Sequence, residues 1–290
     1  MKVWSAIITG MKRNNLAIIC TSDSEYLPYT IGLLKSIYTN SPILTTYIRL
    51  INCNNQQVKN IKNIHDNIHV ITDTVHASSQ RINKHRHQDM LLSEYLHHGY
   101  KKSYTKRRGS RWLYSDKMAY CSNIKFNTIN TILNKTDFNL FYMDVDAVVR
   151  RDLSSLNNII NSYDVIFKIT EATEHGLPFL DGKQRVYHGG HFGINNNTLT
   201  KQIFADMEEH VSNNMYYWDA DECAIYDALT ECSDVNICKL PYTYKDCGTY
   251  SELHTEHIFD DQSYIWSGAA QAKYINKSFV NEVRKYNHDI

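Results

Sequence analysis

At 290 residues, with 42% hydrophobic and 12% aromatic side chains, the chain is long enough to bury a large core and fits one α/β domain or two closely joined halves. Its 31 basic and 31 acidic residues cancel, which excludes a global field that would gather nucleic acid or an anionic membrane. Four prolines and 11 glycines argue against a long linker or low-complexity tail.

The run Leu16 to Thr21 is apolar and closed by Ser22-Asp23, which predicts a buried parallel strand. Tyr29 to Tyr38 predicts a helix, with Ile31, Leu34 and Ile37 at helical spacing and Asn40-Ser41-Pro42 ending it. Thr45 to Asn52 and His69 to Thr72 read as the next strands, so the order is that of a βαβ unit in a doubly wound sheet. From about 78 to 113 the chain turns polar, basic and His-rich, and reads as an insertion or lid with a helix near Met90 to His97. Between Arg81 and Arg111 it carries nine Lys/Arg against two Asp/Glu. Ser115 to Leu133 predicts a capped helix, and Leu140 to Val149 a strand that is apolar apart from two aspartates. Asp164 to Thr170 predicts a further strand, His188 to Asn195 a Gly-rich segment open to close backbone approach, and Leu199 to His210 a helix. The tail after Phe279 reads as a surface helix without chemistry.

A second charged stretch has the opposite sign. Asp219 to Asp261 holds eleven acids against two bases, an asymmetry suited to a site for an anionic donor and a polar acceptor, or simply a solvated face. Seven cysteines at irregular spacing, with no CxxC pair, predict reduced thiols in a soluble, cytoplasmic protein. The first 20 residues are too broken to be a signal peptide, and no apolar run reaches the ~18 residues of a membrane span.

Asp144-Val145-Asp146 carries the most specific chemistry. Two unpaired carboxylates in a core strand cost several kcal/mol, roughly, unless something compensates them. On a strand, side chains two apart share a face, so both could converge on one hard divalent cation, Mn²⁺ or Mg²⁺, which bridges carboxylate to diphosphate. The plainer alternative is a polar strand end.

The segment Phe141-Tyr142-Met143-Asp144-Val145-Asp146, followed by Ala147-Val148-Val149 and Asp152-Leu153, resembles the Asp-x-Asp strand of GT-A glycosyltransferases. That resemblance implies an α/β, Rossmann-like GT-A fold with a mixed, mostly parallel central sheet flanked by helices. It implies one catalytic domain over 1–290, with a nucleotide-binding half at about 14–153 and an acceptor half at about 154–275. In that family the first Asp meets the ribose or a metal-bound water and the second coordinates the metal, roles that fall here on Asp144 and Asp146. Thr21, Ser22 and Asp23 correspond to the uridine and ribose site, and Arg111, Tyr114 and Lys117 to donor contacts. Gly189 and Gly190 correspond to the floor under the donor sugar.

Two later stretches extend the resemblance. Asp219-Ala220-Asp221-Glu222, with Lys239-Leu240-Pro241-Tyr242 beyond it, is similar to the acidic segment of histo-blood-group-type retaining transferases. The similarity implies that Glu222, or failing it Asp221, lies below the anomeric carbon as nucleophile or stabiliser. Cys223-Ala224-Ile225 departs from the polar run expected there, and an acid-rich helix start is the alternative. Trp266-Ser267-Gly268 and Lys273 resemble the late motif of glycogenin-like transferases, which supplies a lysine to the leaving diphosphate and a His as third metal ligand. Ser267 stands where some relatives have that His, so the third ligand is left to His257 or His254.

The implied function is metal-dependent transfer of a hexose from a nucleotide-sugar, with UDP as the expected carrier, to a hydroxyl of a glycan or glycosylated protein, with retention. Alternatives are transfer to hydroxylated bases of DNA, which the zero net charge disfavours, a nucleotidyltransferase, and an inactive glycan-binding module. A nucleotidyltransferase would place a Gly-Ser pair shortly before the aspartates, whereas Gly109-Ser110 lies 34 residues before Asp144.

Overall fold

The structure is a computed structural model, and it describes residues 15–75, 116–171, 185–213, 220–250, 257–268 and 276–290. Strand β1 (Leu16–Asp23) is buried at every position, its apolar run Leu16 to Cys20 covered on both faces and its polar end Thr21-Ser22-Asp23 buried as well. Its alternate residues serve two cores: Leu16, Ile18 and Cys20 pack on one side of the sheet, Ala17 and Ile19 on the other. Helix α1 (Leu27–Asn40) starts with Pro28 in its first turn and returns the chain to β2 (Thr45–Ile51), parallel to β1. Helix α2 (Asn55–Lys62) is set by a capping box between Asn54 and Gln57, and β3 (Ile68–Asp73) pairs parallel to β2.

After the undescribed stretch come α3 (Asp116–Asn123), α4 (Lys125–Lys135), β4 (Asn139–Met143) and β5 (Ala147–Val149). A short helix α5 (Leu156–Ile160) leads to β6 (Val165–Glu171), β7 (Arg185–Ile194), α6 (Thr198–Asn213), α7 (Ala220–Glu231) and β8 (Ile237–Lys239). The seven-stranded sheet runs β3-β2-β1-β4-β7-β6-β8, with β7 antiparallel to both neighbours and the other pairings parallel. This is the mixed, mostly parallel sheet flanked by helices that the sequence predicted. Past a 3-10 turn at Tyr242–Tyr244, the pairs β9 (Thr249–Tyr250) with β10 (His257–Ile258) and β5 with β11 (Ile265–Ser267) make two small antiparallel ladders. Among the described residues no helix is long and apolar enough to cross a membrane.

Three expectations are corrected. The strand predicted over Leu140 to Val149 is two strands, β4 and β5, separated at Asp144–Asp146. The helix predicted over Ser115 to Leu133 is likewise two, α3 and α4, parting at Ile124. The last helix, α8 (Lys277–Arg284), is not merely a surface element. Its Phe279 and Val283 are fully buried with Val148 and Trp266, against which Tyr29 of α1 also packs. The predicted basic insertion and its helix lie outside the described residues.

Candidate active site

The ends of β1 and β4, the Gly-rich β7 and the start of α7 close around one cavity of about 330 Å³. Thr21, Ser22, Asp23, Asp144, Val145, Asp146, Gly189, Gly190, Asp221 and Glu222 all line it. Arg111, Tyr114, Lys273 and His254 lie outside the described residues. Lys117 falls within α3 and His257 within β10, where the backbone pairs with Tyr250, but their side chains are outside the described set. Among the described residues no third His, Cys, Asp or Glu joins the aspartate pair.

Asp144 and Asp146 sit in the break between strands. The chain has left the β4 ladder there, yet it is held on both sides: Asp144 N–H donates to Gly190 O at 2.9 Å, and Asp146 O accepts from Gly268 N–H at 2.7 Å. The two carboxylates therefore face the cavity because irregular backbone presents them, not because of strand alternation. Tyr142 hydroxyl donates to Asp144 Oδ1 at 3.2 Å. Burial, with the like charges of Asp146 and Asp221, pushes the Asp144 carboxyl up to about 6, against the opposing pull of Lys125 and Lys245.

At the first strand's end the three predicted residues differ in what they have free. Ser22 hydroxyl is engaged with Thr30 at 2.6 Å, and Asp23 Oδ1 accepts from the N–H groups of Glu25 and Tyr26, both at 3.0 Å, fixing the turn into α1. Thr21 Oγ1 is buried and, among the described residues, has no hydrogen-bond partner.

Two lysines were not foreseen. Lys125, at the start of α4, is 3% exposed. Its Nζ bonds Asp221 Oδ2 at 2.6 Å and Gly189 O at 2.9 Å, and lies 5.3 Å from the centre of the Tyr142 ring. Burial alone would lower this ammonium, but the carboxylates of Asp221 and Asp144 outweigh it and raise it. The second, Lys245, follows the 3-10 turn and lines the cavity beside Gly190. Opposite them His188 Nδ1 lies 3.6 Å from Glu222 Oε1, with both side chains partly open to the cavity.

The glycine pair makes room for all of this. A Cβ on Gly189 would stand 2.6 Å from Asp221 Oδ2, and one on Gly190 would collide with Asp144 Oδ2 and stand 2.9 Å from Lys245 Nζ. Only glycine lets the backbone lie against these charged groups and leaves the cavity floor open.

Comparison with known proteins decides the family. The sequence profile described as nucleotide-diphospho-sugar transferase matches residues 77–262, well over half of the chain. The chain belongs to that family. It is a glycosyltransferase that works with a nucleotide-sugar. No curated protein sequence matches. Among solved structures, that of the galactosyltransferase LgtC with donor and acceptor sugar analogs has a TM-score of 0.55 at 12% identity, covering 93% of this chain and 95% of that one. The bifunctional glycosyltransferase WbbM gives 0.53 at 11% over 92% of this chain and 49% of its own. GlyE of Streptococcus pneumoniae TIGR4 gives 0.51 at 12% over 92% of this chain and 59% of its own. At such identities the likeness is one of fold, and that fold is GT-A.

Proposed function

We propose that this glycosyltransferase uses a divalent cation, Mn²⁺ or Mg²⁺, at Asp144 and Asp146 to bind a UDP-hexose, and passes the hexose to a hydroxyl of a glycan or glycosylated acceptor with retention. The observation that carries the reading is the meeting, in one cavity, of this aspartate pair with the glycine floor and the acidic start of α7. The donor set fits a hard cation. Both ligands are carboxylates, Asp144 is costly to ionise without a counter-ion, and the missing Cβ of Gly190 leaves space directly beside it. Such an ion would supply charge neutralisation for the departing diphosphate.

This chain's own residues do the rest. Thr21 Oγ1, which lacks a partner among the described residues, would take a polar edge of the nucleoside at the end of β1. Lys125 holds Asp221 rigid, so that Asp221 meets sugar hydroxyls from a fixed position. Glu222 presents its carboxylate to the anomeric centre, where negative charge stabilises an oxocarbenium-like transition state. His188 Nδ1, 3.6 Å from Glu222 Oε1, is a candidate to exchange a proton with it. The acceptor sugar analog in the LgtC complex is the support for a glycan acceptor, and the family match favours sugar transfer over nucleotidyl transfer or passive binding.

Slow hydrolysis of UDP-hexoses, followed by UDP release with and without chelator, tests the reading. Wild-type protein should hydrolyse at least one donor in Mn²⁺ and lose the activity on chelation. Asp146→Ala should lower the rate by two orders of magnitude or more, roughly the scale of losing an electrostatic stabiliser. Undiminished hydrolysis by that variant, or full activity in chelator, would refute the metal site.

A further inference from the structure

Lys245 is 8% exposed, lines the cavity, and among the described residues its ammonium donates to no acceptor and pairs with no carboxylate. A buried cation without a partner is costly, and a protein tolerates one where a ligand completes it. Burial lowers the Lys245 ammonium below the usual lysine range, more than Cys247 and Asp144 raise it.

Its placement is fixed by its neighbours. Asp246 is wholly buried, and its carboxylate accepts from Tyr242 hydroxyl, from Gly248 N–H at 2.8 Å, from Asp260 N–H at 2.8 Å and from Ser263 hydroxyl at 2.9 Å. The Asp246 backbone also bridges to β11, accepting from Ser267 N–H at 2.7 Å, one residue before the Gly268 N–H that holds Asp146. Lys245 and the aspartate pair are thus tied to the same short strand. A built, rigid anchor delivers an unpaired ammonium to the cavity on the side of Gly190 where Asp144 also faces.

The described lining carries Asp23, Asp144, Asp146, Asp221 and Glu222 against Lys125 and Lys245. Lys125 is spent on Asp221 and Gly189 O. A diphosphate entering beside Asp144 and Asp146 therefore meets one uncommitted cation among these residues. We propose that Lys245 is a resident second cation for the diphosphate of the donor, sharing its charge with the ion at Asp144 and Asp146 and binding it even before that ion arrives. This rests on the nucleotide-sugar reading above and adds to it a phosphate-binding residue that works without metal.

Calorimetry with UDP and with uridine, on wild type and Lys245→Met, in chelator and in Mn²⁺, tests it. Wild type should bind UDP weakly in chelator, and Lys245→Met should lose roughly tenfold or more of that affinity, the scale of one charge-assisted hydrogen bond. Uridine, which lacks the diphosphate, should bind both alike. The ligand-free variant should melt at or above the wild-type temperature, since it sheds a buried unpaired charge. Unchanged UDP affinity in folded Lys245→Met, an equal loss for uridine, or a lower melting point overturns the proposal. Should the variant fail to fold, amine acylation of wild type read by mass spectrometry replaces it. UDP in chelator should then shield Lys245, and the absence of shielding overturns the proposal. If wild type binds no UDP even with Mn²⁺, the nucleotide-sugar reading itself has failed. If wild type binds UDP and Lys245 proves indifferent, only the present inference has.

Discussion

Gly189 and Gly190 are neighbours on β7, and each has an aspartate and a lysine beside it, yet one pair is closed and the other open. Beside Gly189, Lys125 and Asp221 form a 2.6 Å ion pair with side chains 4% and 10% exposed, and Gly189 O takes a further lysine proton. Beside Gly190, Asp144 and Lys245 both approach the glycine, but neither takes the other as its ion-pair partner. The closed pair has settled its charges within the protein and acts as scaffold. The open pair has left them unsettled, which is the condition for binding something else. On the proposed reading, adjacent backbone positions divide rigidity and ligand capture between them.

Breaking the closed pair should have the largest effect on stability. Lys125→Met leaves Asp221 buried without its counter-ion, and the loss of one partner of a buried pair costs about 3–5 kcal/mol. At ~2–4 °C per kcal/mol for a chain somewhat smaller than this one, the melting temperature should fall by about 10 °C. The equivalent change in the open pair, Lys245→Met, should show no such fall. If both variants melt alike by calorimetry, the distinction between the pairs is unfounded.

The glycines offer a finer cut. A methyl group at 189 stands 2.6 Å from Asp221 Oδ2 and 3.0 Å from Lys125 Nζ, two groups locked to each other. Gly189→Ala should therefore destabilise by roughly 1–3 kcal/mol, the usual cost of overpacking. At 190 the methyl collides with Asp144 Oδ2, but that carboxylate faces an open cavity and can swing aside. Gly190→Ala should melt closer to wild type and instead weaken Mn²⁺-dependent UDP binding, by about tenfold or more if Asp144 no longer converges with Asp146. A reversal of the two phenotypes in thermal shift and calorimetry would count against the assignment.

Much of this arrangement could be read along the chain, and what could not be has a physical reason. Apolar runs bounded by polar residues located β1, β2, β4 and β6, because a sheet covered on both faces must be continuously hydrophobic. The two aspartates in such a run pointed, by their cost, to the edge that lines the cavity. The break that presents them could not be read, since it depends on hydrogen bonds from Gly190 and Gly268, distant in sequence. Lys125 did leave a trace. It shares a helical face with the buried Ile129 and Ile132, so a lysine stood where the period demanded an apolar residue. Lys245 left a fainter one, as one of two bases among eleven acids between Asp219 and Asp261. Its burial comes from Asp246, whose partners at Asp260 and Ser263 lie more than a dozen residues on, and local pattern carries no record of that.

The last effect, and the most diagnostic, concerns pH. An isolated Asp titrates near ~3.9, whereas burial and the neighbouring acids hold Asp144 at about 6 in the metal-free protein. Between those values the folded state binds the proton that the unfolded state has released, so the contribution of Asp144 to stability falls as pH rises through the window and stays low above it. Asp144→Asn cannot ionise and escapes that loss. In chelator the variant should match wild type near pH 4 and melt higher than it above pH 6. Adding Mn²⁺ and UDP should reverse the order, because ligand stabilises only the protein that binds it. A variant that melts below wild type at pH 7 in chelator would mean that Asp144 is already compensated from within, and the open pair would then be as closed as its neighbour.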